Sequence, residues 1–375
     1  MAESRAGKAL EKSDRVEAVS GGEPWQGIGS HSAPAPLNPS IADPLTAPGV
    51  SLVIPVRNEA ENIQELIDSI QHQSRKPDEV LFVDGGSSDG TIDILRQACE
   101  QNSNFHLLEA RKALPGQGRN IGVANSLFDW IAFTDAGNRL ESDWLEQLIL
   151  AANADPDTGI VCGNFEPVTD SFFTQCAAVA YLSHRVPREN GLVRGPFIAS
   201  SLVRRDVWHA VGGFPELRAA EDLIFFEEIE RQGYKFKWAP KATVHWEIRP
   251  GLWSTFRRFL LYSCVNVWAQ RQNQWHYGVA RLYLLGLPFF ILAAWKSAWW
   301  LLVPLVALSV RVGRRLWLWR EGRGLLWVLN PLRFACVLVI TLTLDLATFS
   351  GWFVAILKRG EAKRIRNHMR TRRGD

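Results

Sequence analysis

The chain has 375 residues, 47% of them hydrophobic and 22% charged, which leaves room for two or three folded units and excludes a wholly disordered, collagenous or coiled-coil protein. Lys and Arg number 42 against 39 Asp and Glu, a net charge of +3 that is too near balance for a dedicated nucleic-acid binder. The five cysteines (Cys99, Cys162, Cys176, Cys264 and Cys336) lie far apart with no CxxC pair, so neither a zinc ribbon nor a disulfide framework is expected and the soluble part reads as cytosolic.

Residues 1–49 are rich in Ser, Ala, Pro, Gly and Glu, contain no signal-peptide core, and read as a disordered leader. From residue 50 the texture changes. VSLVIPV is a short β-rich apolar run, and Ile63, Leu66, Ile67 and Ile70 then recur at helical spacing. The pattern repeats with EVLFVD at 79–84 and a helix from Thr91, with FHLLEA, with a Gly-rich turn and helix at 116–128, and with WIAFTD at 130–135. This alternation predicts an α/β fold, a mostly parallel sheet with helices on both faces. Further strand-like pieces follow (GIVCGNF, FIASSLVRR and KFKWAPKATVHW) around a helix expected over 223–232.

Beyond about residue 249 the composition suits a different solvent. Residues 282–310 and 334–357 each carry a single charge, Lys296 and Asp345, and each exceeds the roughly 20 apolar residues that span a bilayer. Eleven of the sixteen tryptophans fall between Trp246 and Trp352, where a membrane-interface belt is expected. Residues 253–277 mix Arg257, Arg258 and Arg271 with aromatic residues and read as an interfacial helix. The loop 311–330 carries five arginines and the tail 358–375 eight basic residues, so both favour the cytoplasmic side. A hairpin bent at Lys296–Ser297, with a second bend marked by Asp345 and Gly351, satisfies both; three crossings with the tail outside is the alternative.

Sheets of this class bind ligands at the carboxyl ends of their strands. The residues there are Pro55-Val56-Arg57-Asn58-Glu59 after the first strand, Asp84-Gly85-Gly86-Ser87-Ser88-Asp89-Gly90-Thr91 after the second, and Thr134-Asp135-Ala136-Gly137-Asn138 after the fourth. A carboxylate so placed can accept from a base or ribose hydroxyl, or hold a divalent cation against phosphates. Each also has a plain structural reading, as helix cap or turn, and only the joint arrangement favours function.

Residues 50–245 resemble the catalytic domain of family-two glycosyltransferases with their GT-A fold. The resemblance is carried by VSLVIPVRNEAENI, VDGGSSDGT, GQGRNIGVA, FTDAGNRLESDWLE, SLVRRDVWHAVGGFPE and AEDLIFFEEIERQGYK in that order. It implies a GT-A domain over 50–248, and the composition beyond it a membrane-associated region over 249–375. It implies that Pro55, Asn58 and Glu59 line a nucleotide pocket and that Asp84 bonds the base. Gly118, Arg119 and Asn120 would sit near ribose and diphosphate, although an exposed helix-face charge is an equal reading of Arg119. Asp135 would hold Mg²⁺ or Mn²⁺ on the diphosphate of a nucleotide-sugar donor. Here the chain departs from the pattern, since Ala136, Gly137 and Asn138 stand where many relatives have a further acid; His245 is a distant candidate ligand, with a core histidine as the better reading. Asp222 would be the catalytic base, with Glu221 tuning it; without the resemblance, the pair reads as helix-capping acids.

No QxxRW motif is present (residues 270–275 read QRQNQW), so transfer of one sugar is favoured over processive synthesis. The expectation is inverting transfer from a nucleotide sugar to a membrane lipid or lipid-linked hydroxyl, on the cytoplasmic face of a membrane, with no nucleic-acid partner. Arg257 and Arg258 suit an anionic headgroup or general lipid anchoring. The alternatives are a polyprenyl-phosphate glycosyl synthase and a non-catalytic nucleotide-sugar binder.

Overall fold

The computed structural model describes residues 48–358, 360–363 and 365; the expected leader lies outside them but for residues 48 and 49, as does most of the basic tail. The first half alternates strand and helix: β1 (Val50–Val56), α1 (Ile63–Gln71), β2 (Glu79–Asp84), α2 (Thr91–Gln101), β3 (Phe105–Glu109), α3 (Pro115–Asn125), β4 (Trp130–Phe133), β5 (Asn138–Leu140) and α4 (Trp144–Asn153). Then follow β6 (Ile160–Val168), α5 (Phe172–Tyr181), a hairpin of β7 (Val186–Arg188) and β8 (Gly191–Val193), β9 (Ser201–Arg204), α6 (Arg205–Ala210), α7 (Glu221–Arg231) and β10 (Phe236–Glu247). Then come α8 (Leu252–Trp268), α9 (His276–Trp295), α10 (Leu302–Leu318), α11 (Leu325–Val328) and α12 (Pro331–Leu357).

Eight strands form one sheet in the order β3-β2-β1-β4-β9-β6-β10-β5. The β3, β2, β1 and β4 ladders are parallel, as is β6 with β10, whereas β9 runs antiparallel between β4 and β6 and β5 antiparallel to β10. Strands β1 and β2 are buried on both faces, which is why they read as unbroken apolar runs. Chain order reverses between β1 and β4, so a crevice opens at their carboxyl ends.

Helix α3 approaches β1 closely because of its glycines. A Cβ on Gly122 would lie 2.3 Å from Val53 Cγ1, and one on Gly118 would lie 3.2 Å from Pro55 Cβ. Gly116 faces the other way, where a Cβ would meet the Pro215 carbonyl at 2.7 Å. The third motif's glycines therefore serve packing, letting one helix wedge between the first strand and the segment leading into α7.

The C-terminal helices differ from expectation in three places. Residues 253–277 are two elements: α8 ends at Trp268 and α9 begins at His276, and α8 is packed along α12, where Ser263 and Cys264 donate to the Thr348 and Gly351 carbonyls. The basic stretch from 311 stays helical to Leu318, so Arg311 belongs to α10. Helix α12 runs 27 residues without a bend, because Asp345 is buried against Arg311 and Tyr283, and Gly351 against Ser263. The bend at Lys296–Ser297 is present, between the end of α9 and a short 3₁₀ turn. Helices α9 and α12 are each long and apolar enough to cross a membrane, with mean hydropathies of 1.6 and 1.9. Packing does not break at 248/249: buried Cys176, Ala177, Val312, Val337 and Ile340 share one core.

Replacing Gly122 by Ala is expected to destabilise the protein by about 1–3 kcal/mol, since Val53 is fully buried and cannot retreat, and this outweighs the gain of up to about 1 kcal/mol in helix propensity. Thermal unfolding in detergent measures it; an unchanged or raised Tm would show that α3 can move off β1.

Candidate active site

The first two motifs form one stitched rim. Asn58 adopts a left-handed conformation (φ 55°), which lets its backbone N–H donate to Ser87 Oγ at 2.9 Å while its Oδ1 accepts from the Ser88 N–H at 2.9 Å. The Glu59 N–H donates to Thr91 Oγ1 at 2.9 Å and the Ala60 N–H to Asp89 Oδ2 at 3.1 Å. Asp84 is 1% exposed, and its oxygens accept from the Gly86 and Ser87 N–H groups and the Ser87 hydroxyl. These bonds hold the loop that follows β2 around the Asp84 carboxylate. Pro55 is half-buried above Gly118. Glu59 is half-buried and reaches toward Gly137 of the fourth-strand loop. Burial raises its pKa, Arg249 opposes that shift, and Asp135 adds to it.

Arg119 is the centre of the site. It is 3% exposed, which removes the reading as a surface charge, and its guanidinium binds two carboxylates: Nη2 donates to Asp135 Oδ1 at 2.7 Å and Nη1 to Glu221 Oε1 at 3.0 Å. Burial alone would lower its pKa, but Asp135, Glu221 and Asp222 together raise it. Its neighbour Asn120 fixes the approach of the α7 segment, donating to the Phe214 carbonyl and accepting from the Phe214 N–H, both at 2.8 Å.

Glu221 and Asp222 lie inside the first turn of α7, where carboxylates favour the helix dipole; the capping position belongs to Ala220, held at φ 64°. Glu221 is buried and Asp222 half-buried. Burial raises both pKa values; Asp222 raises that of Glu221 further, Asp135 raises that of Asp222, and Arg119 lowers both. Strain at Ala220 and paired acids of raised pKa are features that cluster at catalytic sites.

Asp135 is the open carboxylate, with a side chain 42% exposed and one oxygen committed to Arg119. Among the described residues no group of three or more His, Cys, Asp or Glu converges to hold a metal by itself. His245 Nε2 lies 2.5 Å from Glu141 Oε1. Asp135, with Glu59 near it, fits a hard cation that completes its oxygen shell from a diphosphate and water.

The family model for glycosyl transferase family 2 matches residues 51–206, and that for glycosyl transferase family group 2 matches residues 130–357, more than half of the chain. The chain belongs to glycosyl transferase family 2. Its fold is the GT-A type expected from the motifs, followed by a helical region, and by family it is a glycosyltransferase. It is 32% identical over 201 residues to glycosyltransferase AglE of Haloferax volcanii, covering 52% of this chain and 65% of that protein. The chain thus spans less than two thirds of that relative's length. It is 25% identical to the O-antigen chain rhamnosyltransferase RfbN of Salmonella typhimurium over 59% of this chain and 74% of that protein. To the cholesterol galactosyltransferase of Borreliella burgdorferi it is 28% identical over 31% of this chain and 32% of that protein.

The Arg119–Glu221 pair joins residues 102 apart in sequence, and no local signal announces it. Replacing Arg119 by Met is expected to destabilise the protein by about 3–5 kcal/mol by leaving Glu221 buried without its cation. The double variant with Glu221→Leu should recover part of that loss. A thermal-unfolding cycle reads the coupling, and strictly additive effects would show that the pair stabilises nothing.

Proposed function

We propose that this glycosyltransferase moves a single sugar, with inversion, from a nucleoside-diphosphate sugar to a membrane lipid or lipid-linked hydroxyl acceptor. The observation that carries the proposal is the Arg119 guanidinium, which brings Asp135 at the carboxyl end of β4 and the Glu221–Asp222 turn into one crevice. Pro55, Asn58 and Glu59 line the nucleotide pocket, with Asp84 holding its second loop. Gly118 and Asn120 set the position of Arg119. Asp135 would hold a divalent cation, Mg²⁺ or Mn²⁺, which would supply charge neutralisation for the leaving diphosphate.

Asp222 is the base. Its carboxylate takes the acceptor hydroxyl's proton, the acceptor oxygen bonds to the anomeric carbon from the face opposite the diphosphate, and the nucleoside diphosphate leaves with the electrons of the broken bond. A raised pKa brings a carboxylate nearer the working pH and makes it a better proton acceptor. Glu221, committed to Arg119, supports it. Residues 50–248 form the transferase and 249–375 the membrane-associated region, with the transferase on the cytoplasmic face. Helices α9 and α12, whose outer faces expose residues such as Leu285 and Phe353, support the membrane assignment. The lipid acceptor draws support from the partial likeness to a cholesterol galactosyltransferase. A second reading, transfer onto a polyprenyl phosphate, is favoured by Arg258, which lies within electrostatic reach of Asp135.

Asp222→Asn is expected to lower turnover roughly a hundredfold or more while leaving nucleotide affinity nearly intact. Because the base must be ionised and its pKa is raised, wild-type kcat should fall on acidification at a pH above the ordinary aspartate range; the variant should lack that limb. Near-wild-type turnover by a folded Asp222→Asn protein would refute the hydroxyl mechanism in favour of a phosphate acceptor, already ionised.

Donor binding is expected to need the cation and Asp135. Calorimetric titration with uridine and guanosine diphosphates should show affinity lost in EDTA and in Asp135→Ala. Equal affinities with Mn²⁺ and with EDTA would remove the metal from the mechanism.

A further inference from the structure

Beside the crevice lies a cavity of about 240 Å³ whose walls include none of the residues assigned above to the donor pocket. Trp246 at the end of β10, Arg249, Tyr181 at the end of α5, and Arg258, Phe259 and Tyr262 on α8 form its walls. The Phe259 ring meets the rings of Tyr181 and Tyr262 at 5.1 and 5.6 Å. Arg258 is half-buried, with its guanidinium 5.6 Å from the Trp246 ring centre and 5.5 Å from that of Tyr262, and its Nε donates to the Tyr262 hydroxyl at 2.6 Å. Neither Arg249 nor Arg258 forms an ion pair with a carboxylate among the described residues, a condition unlike that of Arg119.

The cavity is joined to the crevice electrostatically, since Arg258 feels Asp135 and Arg249 feels Glu59. Asp135 gives its direct ion pair to Arg119 rather than to Arg258. In the other direction α8 continues along α12, one of the two long apolar helices. The space therefore has cations at the end near the transfer centre, aromatic walls, and apolar helices beyond. This is the profile of an amphiphile with an anionic head. A guanidinium held against rings and hydrogen-bonded through Nε is pre-organised to present its remaining donors to phosphate oxygens. A neutral lipid would leave both arginines unpaired.

We propose that this cavity is the acceptor subsite and takes the phosphate headgroup of a membrane lipid between Arg249 and Arg258, with the apolar chain running along Tyr181, Phe259 and Tyr262. The proposal rests on the lipid-acceptor reading above. The test uses the full chain in dodecyl maltoside micelles, with calorimetric titration of dodecyl phosphate, dodecanol, inorganic phosphate and a nucleoside diphosphate. Dodecyl phosphate should bind at least tenfold more tightly than dodecanol or inorganic phosphate. Arg258→Gln, and independently Arg249→Gln at the exposed rim, should each remove about tenfold of that affinity while nucleoside diphosphate binding stays unchanged. Equal binding of dodecyl phosphate and dodecanol would overturn the proposal. So would inorganic phosphate binding as well as dodecyl phosphate, which marks a free-phosphate site, or loss of nucleotide affinity in the variants, which gives the cavity to the donor. Arginine-dependent binding of dodecyl phosphate without sugar transfer to any lipid would uphold the subsite and refute the transferase reading. Wild-type transfer to a neutral lipid by folded Arg258→Gln would refute the subsite alone.

Discussion

A guanidinium in the interior must be met by carboxylates, and the site is arranged around that demand. Burying Arg119 without partners would be prohibitive, because an isolated buried charge loses its hydration with nothing in return. Its partners come from opposite halves of the fold: Asp135 follows β4 and Glu221 opens α7. One ion-pair network therefore sets the distance between the donor side and the acceptor side. The network can form only because α3 lies close to β1, and that depends on Gly118 and Gly122 having no side chains. Asn120 completes the clamp by satisfying both backbone groups of Phe214, which holds the segment entering α7.

The same network accounts for the acid pair. Glu221 has Arg119 within hydrogen-bond distance and is tied to it, whereas Asp222 is half-buried and keeps its role open. Burial pushes both toward the protonated form and Arg119 pulls both back. Two adjacent carboxylates with unequal access to one cation are thereby differentiated without any difference in side-chain chemistry. The helix dipole at the first turn of α7 works on the side of ionisation as well.

The sheet is legible in the sequence because buried parallel strands must be apolar on both faces, and β1 and β2 are. The loop residues are legible because chemistry collects at strand ends. Arg119 is ambiguous there, since an arginine on a short helix usually faces water and nothing nearby in sequence reveals that Asp135 and Glu221 will surround it. Asp84 is legible as important from its place at the end of β2, but its loop partners are not, because they depend on where Gly86 and Ser87 turn their N–H groups. Asp345 misleads for a related reason. A single charge in an apolar run looks like a break, and it is compatible with an unbroken α12 only because Arg311 and Tyr283, far away in sequence, reach it. Long-range ionic partners are what composition and spacing do not encode.

The helical region is more than an attachment, because its packing decides where the cavity arginine stands. A Cβ on Gly351 would lie 2.5 Å from Ser263 Cβ, so α8 and α12 touch backbone to side chain, and Ser263 Oγ donates to the Thr348 carbonyl at 2.7 Å. Cys264 and Trp268 add contacts to the Gly351 and Ala355 carbonyls one and two turns along. These contacts fix both the rotation and the translation of α8. Arg258 lies on the same rigid helix, little more than one turn before Ser263, so its height above Asp135 follows from the register of α8 on α12. On the opposite side, Trp319 of the segment after α10 donates to the Leu182 carbonyl, just beyond the α5 tyrosine that forms the facing wall. Both walls of the cavity are thus anchored to the apolar helices. A substitution at Gly351, remote from any reacting atom, would act on the site by displacing Arg258 relative to Asp135.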